Sequence, residues 1–108
     1  MTERIDFSKG GGLVPVVVQD WKSQSVLMLG YANREAVDRT LATGNLHFWS
    51  RSRNELWLKG ERSGNLLKVR KLTLDCDGDA LLAEVEPATG ETPICHTGAE
   101  TCFFTDLE

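Results

Sequence analysis

The stretch Leu66–Glu86, LLKVRKLTLDCDGDALLAEVE, decides how this chain folds. Its first half alternates as a half-buried strand does. Leu67 and Val69 share one face, and the phase then shifts to Leu72, Leu74 and Cys76. A slip of that kind predicts a strand over residues 66–76 with a β-bulge near Arg70 and Lys71. Asp77-Gly78 is a strong hairpin signal, so the chain should reverse there into a last strand from Ala80 to Glu86. Beyond Pro87, proline, glycine and threonine dominate, which predicts an irregular C-terminal loop.

Upstream, the β-branched run Leu13 to Val18 and a second apolar run, Val26 to Tyr31, are joined by the polar Gln19 to Ser25 and read as a hairpin. Pro15 lacks a donor, which places it at a sheet edge or in the first residues of its strand. Asn33 can cap a helix, Glu35 complements the helix dipole, and Gly44 can end it in the left-handed conformation, so a short helix is predicted over residues 34–43. Its apolar face is thin: Ala36, Val37 and Leu41, with Thr40 beside them. Leu46 to Ser50 and Leu56 to Leu58 read as further strands. Residues 1–12, ending in Gly10, Gly11 and Gly12, read as a loosely ordered lead-in. The sum is an α+β fold, a mainly antiparallel sheet with one short helix. At 108 residues, 12.0 kDa and 41% apolar residues, one domain over 1–108 is expected.

Twelve basic against sixteen acidic side chains give a net charge of -4, which disfavours a nucleic-acid partner. No apolar run approaches membrane-spanning length, and the opening MTERIDFSKG is unlike a secretory leader, so a cytoplasmic protein without a membrane partner is expected. Three cysteines are an odd number for a disulfide scaffold. They are either packed thiols or metal ligands.

Cys76, Cys95 and Cys102 match the ligand count of a catalytic zinc site, which takes three protein ligands and leaves the fourth position to water. For Cys76, at the end of an alternating strand, packing is the simpler reading; Cys95 and Cys102 lie in the polar loop CHTGAETC, which offers little core. In an extended chain Asp75, Asp77 and Asp79 would share one side, a set of hard donors for magnesium; the competing reading is a solvated Asp-Gly turn. In Trp49–Ser50–Arg51–Ser52–Arg53 and in the segment from Lys59 through Glu61, Ser63 and Gly64 to Asn65, cations, hydroxyls and glycines supply the parts of a phosphate site. A solvated hairpin of mixed charge is the alternative. Trp21, Trp49 and Trp57 are read as packing residues, with Trp49 the best placed to stack on a ligand. His47, inside an apolar strand, is read as a hydrogen-bonded core histidine, whereas His96, beside Cys95, is placed to move protons if a metal is bound there.

Together VPVVVQD, VLMLGYANREA, HFWSRSRNELWLKGERSGN, LDCDGDALL and CHTGAETCFF, spanning Leu13 to Phe104, resemble the phosphoribosyl-AMP cyclohydrolase family of histidine biosynthesis. The resemblance implies a homodimer with one zinc per subunit, held by Cys76 of one chain with Cys95 and Cys102 of the other. It also implies magnesium on Asp75, Asp77 and Asp79, catalysis through His96, and substrate contacts from Trp49–Arg53 and Lys59–Asn65. Thr101 departs from the serine expected before the last cysteine, but keeps the hydroxyl. A fused pyrophosphohydrolase domain, present in some relatives, is not expected here. The implied reaction brings a zinc-activated water to C6 of the adenine ring and breaks the N1–C6 bond of a small phosphorylated nucleotide. Two other classes remain open. An adenine deaminase would attack the same carbon, but its His-x-Glu and Cys-x-x-Cys signature is missing. A zinc-stabilised binding module would use all three cysteines structurally.

Overall fold

A computed structural model describes residues 2–88, 94–95 and 97–108. The Leu66–Glu86 region forms two antiparallel strands, here β5 (Leu67–Leu74) and β6 (Leu81–Pro87), and the register slips between Val69 and Lys71 as the phase change requires. The earlier hairpin is β1 (Val14–Asp20) with β2 (Val26–Ala32), also antiparallel. Between the two hairpins lie α1 (Arg34–Thr43) and a short antiparallel pair, β3 (His47–Ser50) and β4 (Glu55–Leu58).

In the strand order β2-β1-β6-β5 two of the three pairings are antiparallel, but β1 and β6 pair in parallel from Val16↔Leu81 to Asp20↔Val85. Two antiparallel hairpins are thus joined by a parallel seam, and the sheet is mixed. A parallel pair needs a long crossover, and the whole segment from residue 21 to residue 80 supplies it. The seam also places β1 inside the sheet. Pro15 is tolerated because it comes early in the strand, before β6 joins at Val16.

The two central strands carry alternating buried residues, Val14, Val16 and Val18 on β1 and Leu81, Ala83 and Val85 on β6. Phe48, Leu46, Leu67, Ala36 and Val37 close the core over them. Helix α1 begins where the Asn33 side chain accepts the Ala36 N–H at 2.9 Å and ends at Gly44 (φ +79). Its buried face is Ala36, Val37 and Thr40; Leu41, expected on that face, is 44% exposed because the core offers room for only one column of the helix. The buried Thr40 hydroxyl donates to the Ala36 carbonyl and accepts the His47 N–H at 2.9 Å, which locks α1 to β3. His47 is buried and pairs through Nδ1 with the Asn45 carbonyl at 2.8 Å.

The opening residues differ from a loose lead-in. Ile5 and Phe7 are buried in the core, and the Asp6 N–H donates to the Gly78 carbonyl at 2.7 Å. Two apolar side chains in an otherwise polar segment are enough to dock it against the β5–β6 turn.

Candidate functional site

The β5–β6 turn carries the three aspartates. Sequence alternation places them on one side of a strand, but β5 ends at Leu74, and the turn itself gathers them. Asp75 Oδ1 accepts the N–H groups of Asp79 at 3.0 Å and Ala80 at 3.1 Å, and Gly78 takes the left-handed conformation (φ +78) that closes the bend. One carboxylate oxygen from each of Asp75, Asp77 and Asp79 then lies within 4.8 Å of the others. Asp77 and Asp79 perturb each other: sharing hydrogen-bond contact, Asp77 is held below the usual carboxylate range and Asp79 is pushed above it. The Lys9 ammonium lies 3.3 Å from both and favours the charged form of each. This clustered set of hard oxygen donors suits a small dication such as magnesium.

Cys95 and Cys102 form a second centre. The tail is hung on β2: Cys102 N–H donates to the Leu27 carbonyl at 2.7 Å, and the Thr101 hydroxyl reaches the carbonyls of Val26 and Leu27 at 2.8 and 3.0 Å. Cys95 is buried, and the Thr97 hydroxyl donates to its sulfur at 3.1 Å. That hydrogen bond, more than any other contact, holds the Cys95 thiol below its ordinary range, while loss of hydration and then the neighbouring Cys95 push Cys102 up. The Lys59 ammonium donates to the Ile94 carbonyl at 2.9 Å and lowers both thiols. Two adjacent soft donors, one biased toward thiolate, fit zinc.

Cys76 does not join them within one chain. Among the described residues the only group of three metal-type ligands in reach of one another is the aspartate trio. Cys76 is exposed in the β5–β6 turn, whereas Cys102 hangs on β2, at the opposite edge of the four-stranded sheet. Three strand spacings amount to about 14 Å.

An open cleft of roughly 520 Å³ lies farther along β2. Residues 28–31 of β2 form one wall, directly after the Leu27 carbonyl that holds Cys102, and Trp49, Ser50, Arg51, Ser52 and Trp57 form the other. Phe48 makes the floor, 5.6 Å from the Trp57 ring and against Gly30. The Arg51 guanidinium stacks on Tyr31 at 3.8 Å, and Ser50 Oγ accepts the Arg53 N–H at 3.2 Å, shaping the turn. Arg53 itself leans toward Glu55, at 3.8 Å. Lys59 is drawn to the thiol loop, while Gly60 (φ +86) to Asn65 fold into a separate tight turn, with Gly64 N–H on the Gly60 carbonyl and Ser63 Oγ accepting the Asn65 N–H. Glu61 lies exposed on that turn. His96 is outside the described residues.

Tyr31 and Gly30 in the cleft, Thr97 at the thiol and Lys9 at the aspartates are not among the residues the sequence picked out, and Trp57, read there as a packing residue, lines the cleft. Tyr31 and Trp57 look like strand packing residues, and only tertiary structure turns them to the cleft. For Lys9 a local signal exists, a lone cation before three glycines.

The phosphoribosyl-AMP cyclohydrolase family model matches residues 28–104, which include both walls of the cleft, the aspartate turn and all three cysteines. A phosphoribosyl-AMP cyclohydrolase of Streptococcus thermophilus is 54% identical over 108 residues, covering 99% of this chain and 94% of that protein. One from Cenarchaeum symbiosum is 52% identical over 105 residues, covering 97% of this chain and 94% of that protein. A histidine biosynthesis bifunctional protein of Vibrio cholerae is 49% identical over 108 residues, where the chain spans 50% of that protein. With a thiol pair, a carboxylate trio and a cleft on the segment that the family model covers, and half of all positions shared along nearly the whole length, the chain belongs to the phosphoribosyl-AMP cyclohydrolase family.

Proposed function

We propose that this enzyme of histidine biosynthesis opens the adenine ring of phosphoribosyl-AMP at a site completed by two copies of the chain. Cys76 of one chain with Cys95 and Cys102 of the partner subunit would hold zinc, and Asp75, Asp77 and Asp79 would hold magnesium. The observation that carries this reading is that one strand serves both the thiols and the cleft: the Leu27 carbonyl of β2 anchors Cys102, and the next four residues of the strand wall the cleft. Zinc held by three thiolates supplies Lewis acidity that makes water a competent nucleophile near neutral pH.

The chain's own residues supply the rest. Thr97 keeps Cys95 biased toward the ligating thiolate. Arg51, with Ser50 and Ser52, presents a cation and hydroxyls to one phosphate, and Arg53 stands beside them. Trp49 and Tyr31 wall the purine. Lys59 ties the thiol loop to the end of β4, and the turn of Glu61, Ser63 and Gly64 flanks it. His96 carries the proton to N1 as the N1–C6 bond breaks; water's oxygen stays on C6, leaving a carboxamide and a formamidine, and no nitrogen is released.

Pairing of chains is favoured by the separation of Cys76 from the other two cysteines and by the exposure of Phe103 (61%) and Phe104 (59%) just beyond Cys102. A single domain in a reducing cytoplasm, where the thiols stay free, belongs to the same reading. Among the described residues no helix is long and apolar enough to cross a membrane.

The test is the ring-opening absorbance change with phosphoribosyl-AMP. A zinc chelator should abolish it and added zinc restore it, without release of ammonia. Ammonia would point to a deaminase, and no turnover with zinc and magnesium both supplied would overturn the assignment. His96→Ala should keep its zinc and lose most of its turnover; unchanged turnover would remove the histidine from the reaction.

A further inference from the structure

The segment ahead of β1 is anchored through Ser8, and its side-chain packing ends there. Ile5 and Phe7 are buried, Asp6 N–H is bound to the Gly78 carbonyl at 2.7 Å, and the Ser8 N–H and hydroxyl both donate to Asp6 Oδ1. Contact is close enough that a Cβ on Gly78 would lie 3.3 Å from the Arg4 carbonyl oxygen. Lys9 follows immediately, and its ammonium lies 3.3 Å from Asp77 Oδ2 and 3.3 Å from Asp79 Oδ2. After it come Gly10, Gly11 and Gly12, with positive φ at the last two and no atom within 4 Å of a Cβ at any of the three. A cation is therefore delivered to two of the three clustered carboxylates on an anchored arm, and the glycines beyond it, turned back by the Gly11 N–H on the Ser8 carbonyl and the Gly12 N–H on the Phe7 carbonyl, leave open space around it.

From this geometry we propose that Lys9 is a tethered counter-cation for Asp77 and Asp79, and that magnesium must exchange with it to bind. The inference rests on the magnesium reading of the aspartate turn. Like-charged carboxylates at this spacing repel one another unless a cation or strong donors compensate. The lysine keeps Asp77 and Asp79 together until the dication arrives. Because it occupies the oxygens that a dication needs, it also weakens magnesium binding and sets the concentration at which the site fills. The half-exposed side chain can swing into water when displaced.

Calorimetric titration of Mg²⁺ into the zinc-loaded protein tests this. With two exposed ion pairs at stake, Lys9→Met should bind Mg²⁺ about three- to tenfold more tightly than the unaltered chain. Lys9→Arg, which keeps the charge, should bind like the unaltered chain. Lys22→Met, which makes the same change in net charge in the β1–β2 turn, at the other end of β1, should also leave the affinity unchanged. Equal or weaker binding by Lys9→Met, or equal tightening by Lys22→Met, would overturn the proposal while leaving the magnesium site standing. If neither the unaltered chain nor Lys9→Met gives saturable binding, the magnesium reading falls and takes the proposal with it.

Discussion

At the scale of single residues, two contacts decide much of the site's behaviour. The Thr97 hydroxyl lies on the Cys95 sulfur, so its role is to hold a ligand ready rather than to bind metal itself. Thr97→Val should weaken zinc binding by roughly 10- to 100-fold in competition with a chromogenic chelator, as loss of a ligand's supporting partner generally does. Thr97→Ser, which keeps the hydroxyl, should stay near the original affinity. Thr97 is exposed, so the folded stability without metal should barely change. Gly30 behaves differently. A Cβ there would lie 2.6 Å from Cδ1 and Cε1 of Phe48, a ring only 1% exposed that would have to shift. Gly30→Ala should therefore cost about 1–3 kcal/mol in chemical denaturation, the usual penalty for overpacking a core. It should also raise KM for phosphoribosyl-AMP, because the displaced ring is the floor of the cleft.

At the scale of elements, the ends of α1 rest on local chemistry, and local chemistry is what a sequence states most plainly. Asn33→Ala should destabilise the fold by about 0.5–2 kcal/mol, measured by urea unfolding, and Asn33→Asp should recover most of it. The observed bounds of the helix, Arg34–Thr43, coincide with those its caps predict. The bulge near Arg70 and Lys71 was equally legible, since a change of alternation phase is written in adjacent residues. The parallel seam was not: Val14, Val16 and Val18 declare a face to bury but not which strand will lie beside them, and β6 arrives sixty residues later. The same limit applies to the site. Cysteines and aspartates show themselves by type and spacing, whereas Tyr31 and Trp57 acquire a role only because β2 and β4 are brought to opposite sides of Phe48. Leu41 misled for a related reason, as helical spacing defines a stripe but not how much of it the sheet covers.

At the scale of the whole molecule, the fold holds Cys76 and the Cys95–Cys102 pair apart at opposite edges of one sheet, so a shared zinc makes a sharp prediction about mixed dimers. Cys76→Ser and Cys95→Ser should each be inactive alone, since every zinc site then lacks a ligand. In a dimer of one of each, the site built from Cys76 of the Cys95→Ser chain and the intact pair of the Cys76→Ser chain keeps all three thiols, while the other site loses two. Random reassociation of equal amounts should therefore return about a quarter of the original activity and zinc content, because half the dimers are mixed and each has one whole site of two. Zinc taken up within single chains would give no recovery at any mixing ratio. The exposed Phe103, Phe104 and Leu107 beside Cys102 should become protected from solvent in the dimer, readable by hydrogen exchange of the tail. Recovery of activity without that protection would keep the shared zinc and assign the apolar tail to some other contact.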